Sequence, residues 1–284
     1  MNDRFGRTIT YLRLSLTERC TLKCAYCRAG EGICPKKGEL SRDEFLRIVR
    51  AFAAVGVKKV RLTGGEPMLR RDLIPIISGI RGIDEIFEIT MTTNGQHLAG
   101  QCRALREAGL DRLNISVDSL KPERYTAITG GGSLALVLAG IEEAFAAGFS
   151  SLKLNVVLLR GQNDDETADF IALTKDRPIS VRFIEYMPLG ETDQASLRVT
   201  GAELLKKHPQ LVPVSTWPHS SQVAHVCTDV SSSPISATIP SHSPGMPVSS
   251  VEGKGQPARR ERGRRRRMTT SSPPTLATGA LPDF

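Results

Sequence analysis

The sequence predicts an α/β protein in which a parallel sheet rolls into a partial, TIM-like (β/α)6 barrel, followed by a tail without regular structure. Two patterns carry this expectation. Six short apolar runs rich in Val, Ile and Leu alternate with segments of helical period, and every unusual local sequence falls just after one of those runs. The size agrees, since 284 residues with 40% hydrophobic content can bury one large core.

Residues 9–16 alternate as a strand and deliver the chain to a cysteine-rich loop. Ser41 then opens a helix, with Glu44 three residues on as in a capping box, running to Gly56. Residues 57–62 form the second strand, ended by Thr63-Gly64-Gly65-Glu66-Pro67, and residues 71–80 the next helix. Residues 86–91 are the third strand, closed by Thr92-Thr93-Asn94-Gly95 and followed by a helix over 97–108. Strands over 112–117, 152–158 and 180–184 complete the set, with helices near 133–147 and 164–175 between them. Each strand is expected to be buried on both faces. Ligands of such barrels bind at the C-terminal edge of the sheet, which directs attention to the loops after the strands.

The loop after the first strand is Cys20-Thr-Leu-Lys-Cys24-Ala-Tyr26-Cys27. Three thiols in one short loop are one fewer than the four thiolates that close a [4Fe–4S] cube, so a cluster held here keeps one iron open to an outside ligand. A zinc knuckle completed from elsewhere and simple buried cysteines are the competing readings. Zinc sites bring their ligands as spaced pairs, and no His or second Cys pair follows at a suitable distance. Six cysteines without regular pairing fit ligation better than disulfides. With no secretory signal and no apolar run long enough to span a bilayer, the expectation is a cytoplasmic protein without a membrane partner.

The spacing Cys20-x3-Cys24-x2-Cys27, with Tyr26 before the last Cys, resembles the signature of the radical S-adenosylmethionine (SAM) superfamily. From Phe5 to about Gly190 the chain further resembles the molybdenum cofactor biosynthesis protein A family, the GTP 3′,8-cyclases. The likeness rests on Leu12-Arg13-Leu14-Ser15, Val60-Arg61-Leu62-Thr63-Gly64-Gly65-Glu66-Pro67 with Arg70-Arg71-Asp72-Leu73, and Thr92-Thr93-Asn94-Gly95. It continues through Asn114-Ile115-Ser116-Val117-Asp118, Lys153-Leu154-Asn155-Val156-Val157 and Arg182-Phe183-Ile184-Glu185-Tyr186-Met187. The resemblance implies a barrel of the radical SAM type. It implies a [4Fe–4S] cluster on Cys20, Cys24 and Cys27, SAM contacts at Tyr26, Gly65, Ser116 and Met187, and GTP contacts at Arg13, Arg61, Thr92 and Lys153. No further catalytic side chain is implied. The implied reaction is reductive SAM cleavage followed by cyclisation of GTP to (8S)-3′,8-cyclo-7,8-dihydroguanosine 5′-triphosphate. The implied partners are GTP, an electron donor such as flavodoxin or ferredoxin, and a second copy in a homodimer.

After Gly190 the likeness fades. The family carries a further Cys-x2-Cys and Cys for a second [4Fe–4S] cluster, whereas Cys227 is the only cysteine here past residue 102. The expected domains are therefore a radical SAM partial barrel over 1–207 and a low-complexity tail over 208–284, disordered and rich in Ser, Pro, Thr and Arg, with a shifted reading frame as its origin. Four of the eight net positive charges fall in that tail. Arg264–Arg267 are read as a solvated charge run in preference to a nucleic-acid site. Two other functions stand beside the cyclase, which the missing thiols would leave inactive. One is a radical SAM enzyme for another substrate; the other is a non-catalytic cluster-binding protein with a basic interaction tail. Cys34, Cys102 and Cys227 receive no role.

Overall fold

The computed structural model describes residues 6, 8–27, 38–187, 195–214, 222–227 and 237–240. Six parallel strands are hydrogen-bonded in chain order: β1 (Tyr11–Ser15), β2 (Lys59–Thr63), β3 (Glu88–Thr93), β4 (Arg112–Ser116), β5 (Leu152–Leu158) and β6 (Ile179–Glu185). Among the described residues β1 and β6 do not pair with each other, which leaves the barrel partial. The crossovers carry α1 (Arg42–Ala54), α2 (Leu73–Arg81), α3 (Cys102–Glu107), α4 (Pro122–Thr129), α5 (Leu134–Ala146) and α6 (Thr167–Ala172), and α7 (Gly201–Lys207) follows β6.

Local sequence explains the helix ends. Ser41 and Glu44 form the expected capping box, Ser41 N–H donating to the Glu44 carboxylate at 2.8 Å and Glu44 N–H to Ser41 Oγ at 3.4 Å. The helix so started buries Phe45, Leu46, Val49 and Ala53. Sequence reasoning overlooked α4, although Pro122 opens it at a position where a missing N–H is harmless and Gly130 (φ +66°) ends it in the left-handed conformation. The helix expected over 97–108 is short, Cys102–Glu107, because the Gly95 turn and Gly100 (φ +83°) precede it.

The expectation of strands buried on both faces is corrected. Leu14, Val60, Leu62, Ile89, Met91, Leu113, Ile115, Leu154, Val156, Val181 and Phe183 are buried against the helices. The alternate positions turn to the concave face and include Arg13, Arg61, Thr92, Asn114, Lys153 and Arg182, most of them only half-buried. The inner face of the partial barrel is lined with polar groups, and the period of two therefore survives inside a parallel sheet.

Past Lys207 the sequence suggested no elements, and the structure describes three strands. These are β7 (Leu211–Val214), β8 (Gln222–Cys227) and β9 (Ala237–Pro240), antiparallel in that order. Leu211 pairs with Cys227 and Gln222 with Pro240. Cys34 and Arg264–Arg267 lie outside the described residues. No single described helix is long and apolar enough to cross a membrane.

Candidate active site

Backbone fixes the cysteine loop on two sides. The β1–β2 ladder continues beyond the strand ends, through Leu16 N–H to Thr63 O (2.8 Å), Gly65 N–H to Thr17 O (2.7 Å) and Glu66 N–H to Arg19 O (2.7 Å). The loops come so close that a Cβ at Gly65 would stand 2.2 Å from Arg19 O. The resemblance implies a SAM contact at Gly65; what a Cβ there would meet is the backbone of the cysteine loop itself. On the other side the end of α4 receives Lys23 N–H at Thr129 O (3.0 Å) and Ala25 N–H at Ile128 O (2.9 Å). Below, the buried Arg70 guanidinium grips Asp72 in two bonds of 2.8 and 2.7 Å and donates to Leu16 O and Leu40 O. Glu39 joins this set by accepting from Thr17 and Arg19.

Cys20 and Cys24 are half-buried and Cys27 is exposed. Burial, then Asp118, Cys27 and Cys20, push the Cys24 thiol up to about 12. Holding Cys24 as a thiolate there would take a compensating cation, and an iron–sulfur cluster suits an all-thiol donor set of this kind. Among the described residues no three His, Cys, Asp or Glu side chains are drawn together around a single metal ion. A cube takes one thiolate at each corner and does not need them that close. Cys102 is elsewhere, buried on α3 with its sulfur against Leu98 O and Gly140 O.

Tyr26 closes the loop over β4. Its hydroxyl donates to Asp118 Oδ2 at 2.5 Å, and Asp118 Oδ1 accepts from Val157 N–H at 2.9 Å. Burial raises the Asp118 carboxyl to about 6. Ser116, half-buried at the end of β4, sits level with Asn155 on β5, which sits level with Arg182 on β6. Met187 is 57% exposed just beyond β6. The four expected SAM contacts thus arise from the loops after β1, β2, β4 and β6 along one edge of the sheet.

Beneath that edge lies a cluster of cations. Arg13 is level with Arg61 across β1 and β2, while Thr92, Asn114 and Lys153 are level across β3, β4 and β5. Burial and the neighbouring positive charges lower the pKa of Arg61 and Arg182, and they push Lys153 down to about 8. The nearby acid, Glu88, is already shared by Lys59 and Arg112 at 3.6 Å each. Buried polar atoms here lack hydrogen-bond partners, namely Arg61 Nε, Arg182 Nε, Asn155 Oδ1 and both amide atoms of Asn114. Groups like these are satisfied in the native state; the three donors, Arg61 Nε, Arg182 Nε and Asn114 Nδ2, fit an anion, while the two amide oxygens call for a donor from water or a ligand. The sequence reading named Arg13, Arg61, Thr92 and Lys153 and missed Arg182, Asn114 and Asn155. Their signal was the polar residue at every second position of otherwise apolar strands. It also missed Glu66, whose buried carboxylate accepts from Thr93 Oγ1 (2.7 Å), Asn94 N–H (2.7 Å) and Met68 N–H (3.0 Å).

Comparison with known proteins agrees with this geometry. Residues 14–174 match the family described as the radical SAM superfamily. The chain is 50% identical over 192 residues to the GTP 3′,8-cyclase of Listeria monocytogenes (strain EGD-e), covering 67% of this chain and 58% of that one. It is 47% identical over 220 residues to the GTP 3′,8-cyclase of Alkaliphilus oremlandii, covering 76% and 69%. The fold is similar to Streptococcus suis SuiB (TM-score 0.59, 17% identity, 69% of this chain and 44% of that one). It is also similar to HydG, a maturase of the [FeFe]-hydrogenase (TM-score 0.56, 15% identity, 69% and 47%). These structural likenesses speak for the fold alone. The chain spans about 58% of the length of the Listeria cyclase that it matches.

Proposed function

The chain belongs to the radical SAM superfamily and, within it, to the family of the GTP 3′,8-cyclases, and from that premise we propose that it binds a [4Fe–4S] cluster, SAM and GTP for the cyclisation step of molybdenum cofactor biosynthesis. The observation that carries the reading is the cation cluster of the lumen, for which the described residues offer no salt bridge, beneath a clamped loop of three thiols. Cys20, Cys24 and Cys27 would hold the cluster. When bound, the cluster, given an electron by a flavodoxin- or ferredoxin-type donor, would supply from SAM the radical chemistry that takes the ribose 3′ hydrogen of GTP; the C3′–C8 bond would form at the expense of the guanine C8–N7 π bond, and a second electron and a proton at N7 would complete the dihydro product.

The protein's own part is placement. Arg13, Arg61, Lys153 and Arg182 attract the triphosphate, Arg through a fork of donors and Lys as a point charge. Thr92, Asn114 and Asn155 offer neutral hydrogen bonds on the same face, and Tyr26, Gly65, Ser116 and Met187 line the edge assigned to SAM. The cluster count proposed for this chain is one, since the remaining thiol among the described side chains, Cys102, is buried between α3 and α5.

Anaerobic reconstitution tests the reading. We expect iron and sulfide in the ratio of one cluster per chain and reductive cleavage of SAM. Cys24→Ala abolishes cleavage, because two thiolates cannot hold a cube with one iron open, and Cys34→Ala leaves it unchanged. Cleavage retained in Cys24→Ala removes the assignment.

A further inference from the structure

Cys20 has a long-range donor on its sulfur. Sγ accepts from Leu22 N–H at 3.4 Å, a contact internal to the loop, and from Asn94 Nδ2 at 3.7 Å. Asn94 belongs to the loop after β3, 74 positions away in the chain. The orientation of its amide follows from its other bonds. Oδ1 accepts from Gln96 N–H at 3.0 Å, which leaves Nδ2 as the edge facing Cys20 Sγ and Thr21 Oγ1 (3.3 Å).

The backbone beneath it is equally fixed. Asn94 N–H donates to Glu66 Oε2 at 2.7 Å, and Glu66 is fully buried. Gly95 turns the chain at φ +77°, where a Cβ would press on Val137 and Ile115 at 3.1 and 3.3 Å. A side chain held this firmly keeps its N–H aimed at one sulfur.

An N–H directed at a ligating thiolate stabilises negative charge on it. The reduced cluster carries one more electron than the oxidised one, so such a donor favours the reduced state and raises the potential. Resting on the function proposed above, we propose that Asn94 is a positioning residue that sets the reduction potential of the cluster through the sulfur of Cys20. The step it governs is the transfer of one electron from a one-electron donor protein, which is oxidised, to the bound cluster, which is reduced. Asn94 neither gains nor loses a proton in it, and no covalent bond changes.

The full chain, reconstituted anaerobically, is titrated potentiometrically with the reduced cluster followed by electron paramagnetic resonance and the iron and sulfide content counted. Asn94→Asp keeps the acceptor for Gln96 N–H and the shape of the side chain but turns a carboxylate oxygen to the sulfur. The expected result is a lower potential, with a reduced-to-oxidised ratio at fixed donor potential smaller by on the order of tenfold, about 59 mV for one electron. Asn94→Ala shifts the same way by less. Thr21→Val, which removes the other acceptor of the amide and leaves the Cys20 contact, does not shift. Equal potentials in all four proteins at equal cluster content overturn the inference. So does loss of the cluster from both Asn94 variants, which would make the residue one of assembly. An unsubstituted chain that takes up no cluster at all would instead overturn the function proposed above, and this inference with it.

Discussion

Lys153 sits on the luminal side of β5, where burial and the charges of Arg182, Arg112 and Arg61 push its ammonium down to about 8 from 10.5. A cation whose folded pKa is depressed binds fewer protons folded than unfolded, so its unfavourable contribution is fully present below about pH 8 and is relieved as the pH rises from there to 10.5. Lys153→Met should therefore raise the melting temperature at pH 7 and flatten the rise in stability over that window, measured against the unsubstituted chain. The same substitution should weaken triphosphate binding. Because the anion pairs with the protonated amine, affinity for GTP should fall as the pH passes through 8, with proton uptake visible by calorimetry in buffers of different ionisation enthalpy. A binding curve flat across pH 7 to 9 would remove Lys153 from the phosphate site. Residues of this kind were half legible in the sequence. Lys153 and Arg61 stood inside family motifs with an assigned role. Arg182 and Asn114 stood in similar motifs without one, and the strand register together with their buried, unpartnered atoms sets them in the lumen.

At the level of elements, the loops after β1 and β2 behave as one unit. Gly65 has Arg19 O at 2.2 Å from its missing Cβ, and the atom in the way is backbone, which cannot rotate aside. Gly65→Ala should part the two loops, break the bond from Gly65 N–H to Thr17 O, and lower cluster loading by several-fold as read from iron content and visible absorbance. Normal loading would mean that the loops can slide at no cost. At the N-terminus of α1, one residue past the Leu40 carbonyl that Arg70 holds, the capping box closes on Ser41 and Glu44 alone. Ser41→Ala should cost about 1 kcal/mol of stability and leave loading unchanged. The box was legible because Ser and Glu at the right spacing suffice to write it. The seating of the cysteine loop on α4 was not, since it consists of backbone bonds from Lys23 and Ala25 to residues about a hundred positions later. No side-chain pattern encodes such a contact.

Across the whole molecule, the sheet order, the crossover helices and the placing of the odd sequences after the strands were readable, because apolar runs of strand length and helical stretches alternate so regularly. The polar inner face was misread, since a parallel sheet buried on both sides and one wrapped around a charged cavity share the same outer residues. That inner face gives the last prediction. It carries four cations, Arg13, Arg61, Lys153 and Arg182, which on the proposed function would take the phosphates, and its neutral polar groups lie on the same rows. The sequence holds no three further clustered thiols that could build a second cluster to take the guanine base, which is the part the family resemblance implies. On the proposed function, this chain acting alone would therefore hold the phosphate end of GTP while leaving the base free to turn. Losing the alignment of C3′ and C8 by as little as about 1 Å can cost on the order of a hundredfold in rate. Purified and reconstituted by itself, the chain should cleave SAM, bind GTP in a salt-sensitive way through its triphosphate, and form the 3′,8-cyclised product at least a hundredfold more slowly than the Listeria cyclase. Cyclisation at a comparable rate, followed by chromatography of the GTP-derived product, would show that the luminal cations and amides orient the base without a second cluster.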